Sequence, residues 1–170
     1  MEFNKYIRNI PDFPEKGIVF RDITPLLQDA AALAAAKEAL LQLLEDKNID
    51  KVVGMESRGF FFAPMLAVDL KAGFVPVRKP GKLPFSKISE TYDLEYGKDT
   101  LEIHSDSIVY GDKVLIHDDV LATGGTASAV CRLVERLGGE VVQCNFLLEL
   151  QDLKGSDKLS GYPIASLIKF

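Results

Sequence analysis

Cysteine is scarce in this chain: of 170 residues only two are cysteine, Cys131 in a helical pattern and Cys144 in a strand pattern. Both read as small buried apolar side chains in a reducing compartment, not as a disulfide frame. The two histidines, His104 and His117, fall in strand patterns, so no catalytic role is assigned to them. No run of about 18 apolar residues occurs, and the opening MEFNKYIRNIPDFP lacks the apolar stretch of a signal peptide, which argues against membrane spanning and export. Positive charge is also short, with 20 Lys and Arg against 25 Asp and Glu and a net charge of −5. That argues against a nucleic-acid surface, although the basic residues of one cleft can still meet a phosphorylated metabolite. Two nucleotide signatures are missing, the GxxxxGK[ST] loop and the GxGxxG fingerprint. Repeats, low-complexity segments and long linkers are missing too, and with 47% hydrophobic residues the expectation is one globular domain over 1–170 with its own core.

The most informative stretch present is KVLIHDDVLATGGT, residues 113–126. An apolar run reaches two adjacent carboxylates, Asp118 and Asp119, then a Gly-rich turn, then a helical pattern. Backbone N–H groups and the helix dipole converge at such a junction, which makes it an anion site. Ala122, Thr123, Gly124, Gly125 and Thr126 form the cradle: the glycines permit close approach and the threonines add hydroxyl donors. The aspartates accept hydrogen bonds from vicinal hydroxyls and hold Mg²⁺ directly or through water. A sugar phosphate satisfies both halves.

A second strand exit, Glu56-Ser57-Arg58-Gly59, follows the short buried strand Lys51–Met55 and precedes a helix expected over Phe60–Leu70 and closed by Gly73. Ligands of open α/β sheets bind outside the carboxyl ends of the strands, so the two loops can address one molecule, with Arg58 forking onto diphosphate oxygens. Arg78, Lys79 and Lys82 then form a local basic cluster in an acidic chain, a counter-charge for diphosphate. Residues 85–98 are polar with scattered aromatics and read as a hairpin-like mobile lid that excludes water, ahead of a strand over Thr100–Val109. Elsewhere, Phe3–Ile10 shows helical spacing, and Asp29–Lys47 is an amphipathic helix with Leu33, Ala36, Leu40, Leu43 and Leu44 on its apolar face. Thr126–Leu137 is a helix ended by Gly138-Gly139, Glu140–Leu150 a nearly continuous apolar strand, and Pro163–Ile168 a last short strand. The order describes a doubly wound, mostly parallel α/β sheet flanked by helices, with a small N-terminal hood.

The central motif resembles the phosphoribosyl-diphosphate motif of the type I phosphoribosyltransferases. PDFPEKGIVFRDITPLL (11–27), GMESRGFFFAPMLA (54–67), VPVRKPGKLP (75–84) and YDLEYGKDTLEIH (92–104) are similar to the adenine-specific branch of that family, so the resemblance is full-length. It implies transfer of a 5-phosphoribosyl group from phosphoribosyl diphosphate to N9 of adenine in purine salvage, giving AMP and diphosphate with Mg²⁺ present, in a cytoplasmic homodimer. It also implies a base site at Val19, Phe20 and Arg21, and a diphosphate loop at Glu56, Ser57 and Arg58 with a cis Glu-Ser peptide. Arg78, Lys79 and Lys82 would reach the diphosphate, some across the dimer interface. Glu95, in a Glu-Tyr-Gly motif, would be the catalytic residue handling a purine proton. Mg²⁺ would be held mainly by substrate and water near Asp118 and Asp119. One departure is His117, where the family more often has an apolar residue.

Overall fold

The computed structural model describes residues 1–93 and 97–170, in two compact units, Met1–Ala39 and Leu40–Phe170. In the first, the strands β1 (Arg8–Pro11) and β2 (Val19–Asp22) form an antiparallel hairpin. The helical spacing expected over Phe3–Ile10 is realised only as a single 3-10 turn, Phe3–Tyr6. Pairing with β2 draws the chain out from Arg8, and Pro11, which has no N–H to give a helix, ends the strand. The connecting turn is tied by the Asp12 carboxylate, which accepts the Gly17 N–H at 2.7 Å, and by an edge-to-face contact of Phe13 with Phe20, centroids 5.3 Å apart.

Helix α1 (Thr24–Gln28) is entered from Asp22, whose carboxylate accepts the Thr24 N–H at 2.9 Å. Helix α2 (Ala30–Gln42) starts where expected, with the Asp29 carboxylate accepting the Ala32 N–H at 2.8 Å as an N-cap. It ends earlier than the sequence suggests. Its buried stripe is Ala32, Ala36 and Leu40, continued by Leu44 beyond the helix, while Leu33 and Leu43 are only half-buried. Small residues at successive i, i+4 positions fit a close-packed face better than the broader leucine face read from periodicity.

The second unit is built on five parallel strands in the order β4-β3-β7-β8-β9: β3 (Lys51–Met55), β4 (Gly73–Val77), β7 (Lys113–Leu121), β8 (Glu140–Glu149) and β9 (Ile164–Lys169). The strands β5 (Lys87–Asp93) and β6 (Lys98–His104) form a separate antiparallel hairpin, in which the stretch 85–98 read as a lid supplies β5 and the strand read from Thr100 supplies most of β6. β6 stops at His104, short of Val109, because Ser105–Ser107 turns, with the Ser107 hydroxyl donating to the His104 carbonyl at 2.7 Å. Burial of β3, β7 and β8 is nearly continuous, which is why they appear in the sequence as apolar runs without alternation. Moving out from β3, the chain proceeds to β4 on one side, and from β7 to β8 and β9 on the other. The order therefore reverses between β3 and β7, and a ligand crevice belongs at their carboxyl ends.

Helix α3 (Ala63–Leu70) begins later than read, after a 3-10 turn at Arg58–Phe60, because Pro64 is suited to the first turn of a helix and not to its interior. Its end is set by Lys71 in the left-handed region, φ 55°, and Gly73 instead opens β4. Helix α4 (Gly125–Arg136) buries Ala127, Val130, Cys131, Leu133 and Val134 and is terminated at Gly138, φ 90°. Cys131 and Cys144 are both buried and unbonded, their sulfurs 3.6 Å apart. Among the described residues no helix is long and apolar enough to cross a membrane.

Candidate active site

The acids lie within β7, not at its exit. Asp118, Val120 and Leu121 pair with Phe146, Leu148 and Glu149 of β8, so the strand carries both carboxylates before it releases the cradle at Ala122. Asp119 is buried, with the Arg58 Nε 2.8 Å from its Oδ2, while the half-buried Asp118 accepts the Asp119 N–H at 2.9 Å. Burial pushes both carboxyls up; the neighbouring Asp119 charge raises Asp118 further, and Arg58 partly relieves Asp119. Two acids held in this way gain from any cation or hydroxyl donor brought to them.

The cradle is shaped by backbone. Gly124 is the N-cap of α4 at φ 76°, a conformation glycine adopts without strain, and Gly125 is the first helical residue. A cavity of about 70 Å³ opens here, lined by Asp118, Ala122, Thr123, Gly124 and Thr126 among others. A larger groove of about 300 Å³, lined by Tyr92, Ser128 and Arg132 among others, includes neither Asp118 nor Asp119. Gly155 had no place in the sequence reading. A Cβ on it would lie 2.2 Å from the Ala122 carbonyl oxygen and 2.9 Å from the Gly124 nitrogen, so the loop after β8 presses its backbone directly onto the cradle. Gly59 plays the same part on the other strand exit, where a Cβ would lie 2.9 Å from the Asp118 Oδ1.

The Glu56-Ser57 peptide at the end of β3 is cis. Glu56 sits at the centre of the basic cluster. Its carboxylate pairs with Arg78, 3.2 Å away at Nε, pairs with Lys82, and accepts the Lys79 N–H at 2.9 Å. Burial would raise this carboxyl, but Lys82, the Lys79 amide and Arg78 together hold it down at about 2. Lys79 pairs through its ammonium with Asp99 of β6. Each basic residue assigned to diphosphate thus already has an internal carboxylate: Arg58 has Asp119, Arg78 and Lys82 have Glu56, and Lys79 has Asp99. Sequence reading missed Asp99 and Tyr92. The Tyr92 hydroxyl donates to Asp99 Oδ2 at 3.2 Å and lies 3.1 Å from the Thr126 hydroxyl. No local signal marked either residue, since the contacts join β5, β6, α4 and the basic loop.

Glu95 lies outside the described residues. Val19, Phe20 and Arg21 belong to the first unit, on β2, where Val19 is exposed and the Arg21 guanidinium donates to Asn9. His117 is fully buried on β7, with Nδ1 3.2 Å from the Asn145 Oδ1 and its ring edge-on to Phe62. Burial lowers it to about 4, so it stays neutral. Asn145 in turn donates to the Leu40 carbonyl at 3.1 Å, so a polar pair occupies a fully buried position of the core.

For a divalent ion the donor set is small. No group of three or more His, Cys, Asp or Glu converges among the described residues, leaving Asp118 and Asp119. Mg²⁺ retains water and takes one or two carboxylates together with substrate phosphate oxygens, so these residues fit an ion held mainly by substrate.

The model of the phosphoribosyl transferase domain family matches residues 22–162. An adenine phosphoribosyltransferase of Christiangramia forsetii is 62% identical over 170 residues, covering 100% of this chain and 99% of its own. Among solved structures, the adenine phosphoribosyltransferase of Thermoanaerobacter pseudethanolicus superposes with a TM-score of 0.97 at 54% identity, covering 99% of this chain and 98% of its own. That of Saccharomyces cerevisiae, solved with adenine and an imino-altritol bisphosphate, gives a TM-score of 0.93 at 42% identity, covering 98% and 96%.

Proposed function

We infer the reaction from a plain premise: the chain belongs to the phosphoribosyl transferase family, within its adenine phosphoribosyltransferases. It transfers the 5-phosphoribosyl group of phosphoribosyl diphosphate to N9 of adenine, giving AMP and diphosphate in purine salvage. The observation that carries this reading is the set of groups around the carboxyl-terminal halves of β3, β4 and β7: a glycine-built anion cradle, two adjacent aspartates and four cations, Arg58, Arg78, Lys79 and Lys82.

The 5-phosphate is assigned to Ala122, Thr123, Gly124, Gly125 and Thr126, and the ribose hydroxyls to Asp118 and Asp119. Diphosphate is assigned to Ser57, Arg58, Arg78, Lys79 and Lys82, with Glu56 orienting the cations around it. Cleavage of the C1′–O bond leaves positive character at C1′ and negative charge on the departing diphosphate, so fixed cations beside the leaving group favour the transition state over the ground state. Mg²⁺, when bound with the donor, would supply further neutralisation of diphosphate oxygens. Asp118 and Asp119 present negative charge on the ribose side. The C1′–N9 bond then forms, and the purine sheds a proton that Glu95 is assigned to take, at N7. Val19, Phe20 and Arg21 are assigned to the base: a backbone N–H and C=O presented together complement adenine's ring acceptor and amino donor. No step uses Cys131, His104 or His117. We take residues 1–170 as one catalytic domain acting in a cytoplasmic homodimer, with Mg²⁺ as its ion.

Turnover with adenine, guanine, hypoxanthine, xanthine and orotate in the presence of phosphoribosyl diphosphate and Mg²⁺ tests the assignment. AMP formation from adenine with negligible product from the other four is expected; preference for another base would overturn the adenine assignment.

A further inference from the structure

The four residues Thr126, Tyr92, Asp99 and Lys79 form one continuous chain of polar contacts from the phosphate cradle to the basic loop, running through the Tyr92–Asp99 pair near the far end of the β5–β6 ladder. Its direction follows from chemistry. Burial pushes Asp99 up, but the Lys79 ammonium and the Thr100 amide hold it below the ordinary aspartate range, so its carboxylate is ionised and only accepts. The Tyr92 hydroxyl, raised by burial and therefore protonated, has a single proton and gives it to Asp99. The Thr126 hydroxyl must then donate to Tyr92, because Tyr92 has no proton left to offer.

Both ends of the chain are groups that the functional reading assigns to the donor. A phosphate in the cradle accepts hydrogen bonds only, so Thr126 must turn its proton away from Tyr92 to serve it. A diphosphate must draw the Lys79 ammonium from Asp99. We propose that Tyr92 and Asp99 are internal stand-ins for the two phosphate ends of the donor, positioning residues that hold Thr126 and Lys79 until donor displaces them and that thereby set donor affinity from below. This rests on the assignment of the cradle and the basic loop to phosphoribosyl diphosphate. The pair is specific in placement: Tyr92 is only 7% exposed, and its neighbour across the hairpin ladder is Asp99 itself. Internal competition of this kind makes a definite, counter-intuitive statement. Removing either contact should improve binding at one end and not at the other.

The test is calorimetric titration of the full chain with ribose 5-phosphate and, separately, with magnesium diphosphate, for wild type, Tyr92→Phe and Asp99→Asn. Both substitutions conserve shape, and thermal melting checks that each variant is folded. Tyr92→Phe should tighten ribose 5-phosphate by about two- to tenfold, the span of one net hydrogen bond, with a smaller change for diphosphate. Asp99→Asn should tighten magnesium diphosphate by a similar factor. Merely structural damage would weaken both ligands in both variants, and that pattern, or unchanged affinity, removes the stand-in role. Wild type that binds neither probe would overturn the functional reading as well, whereas normal wild-type binding with unimproved variants overturns the stand-ins alone.

Discussion

Gly155 is the residue whose side chain, if it had one, would do most damage to the cradle, because the atoms it would strike at 2.2 Å and 2.9 Å are backbone. Backbone cannot swing aside as the end of a lysine can, so Gly155→Ala must displace the Ala122–Gly124 turn. Overpacking of this sort costs about 1–3 kcal/mol. A lowered melting temperature together with at least tenfold weaker ribose 5-phosphate binding is expected by calorimetry; normal binding would show that the cradle tolerates the shift. The acids make a second case. Asp118→Asn with Asp119→Asn keeps some hydrogen bonding but deletes the charge facing the ribose, so turnover of adenine should fall about 10²-fold or more, the scale of one lost electrostatic contact in a transition state. Turnover at the wild-type rate would remove the aspartates from the ribose site.

Glu56 gives a pH signature. Its folded-state value of about 2 lies below the ordinary glutamate value of about 4.3, so the ion pairs add stability that is complete above that ordinary value and is lost as pH falls towards 2. Glu56→Gln has no such group to protonate. The gap in urea midpoint between wild type and Glu56→Gln should therefore be widest near neutral pH and close between about pH 4.3 and pH 2. A gap that stays constant over that window would mean that the carboxylate is not the group held by Lys82 and Arg78.

Among the elements, the β5–β6 hairpin is fastened to α4 by one carboxylate with two guanidinium partners. Glu90 accepts from Arg132 at 2.6 Å and from Arg136 at 3.1 Å, and Arg136 also donates to the Ser89 carbonyl at 2.8 Å. Both arginines are more than two-fifths exposed, so the net contribution to global stability is held to about 1 kcal/mol by solvent screening. The local effect is larger in kind. Glu90→Gln should accelerate amide exchange across Lys87–Asp93 and Lys98–His104 while leaving β3, β7 and β8 protected; unchanged hairpin exchange would assign the fastening to side-chain packing instead. β5 lay in a polar, aromatic-flecked stretch and β6 in a strand pattern of its own, without a sign that the two pair, whereas β3, β7, β8 and α4 were legible because apolar runs and glycine stops are local signals. Their attachments were not. Glu90 with Arg132, Tyr92 with Thr126 and Lys79 with Asp99 join residues far apart in the chain, and although Thr126 and Lys79 stand in marked motifs, their partners Tyr92 and Asp99 carry no local sign of the contact. Lys71 as the end of α3 was hidden for a different reason, since a non-glycine residue at φ 55° carries no compositional mark.

For the whole molecule, the proposed homodimer makes Arg78 the residue to watch. Within its own chain Arg78 pairs with Glu56, which places the guanidinium beside the loop that the functional reading gives to diphosphate. If the partner's diphosphate draws on it, a mixture of Arg78→Ala and Glu95→Gln subunits should regain activity after verified subunit exchange, because one of the two sites in each heterodimer is then intact. No recovery would confine Arg78 to its own site. Light scattering of the wild-type chain should give the mass of two copies.

The pairing of four site cations with Glu56, Asp99 and Asp119 has a consequence for ionic strength. A cleft of bare lysines and arginines would gather small anions from the buffer and release them on binding, and its affinity would fall steeply as salt is added. Here the counter-ions are covalently part of the chain. Donor binding exchanges one set of negative partners for another and frees carboxylates, which then recruit cations from solution. The dependence of donor affinity on potassium chloride should accordingly be shallower than four exposed positive charges would give, and Glu56→Gln, which strips the counter-ion from two of them, should steepen it.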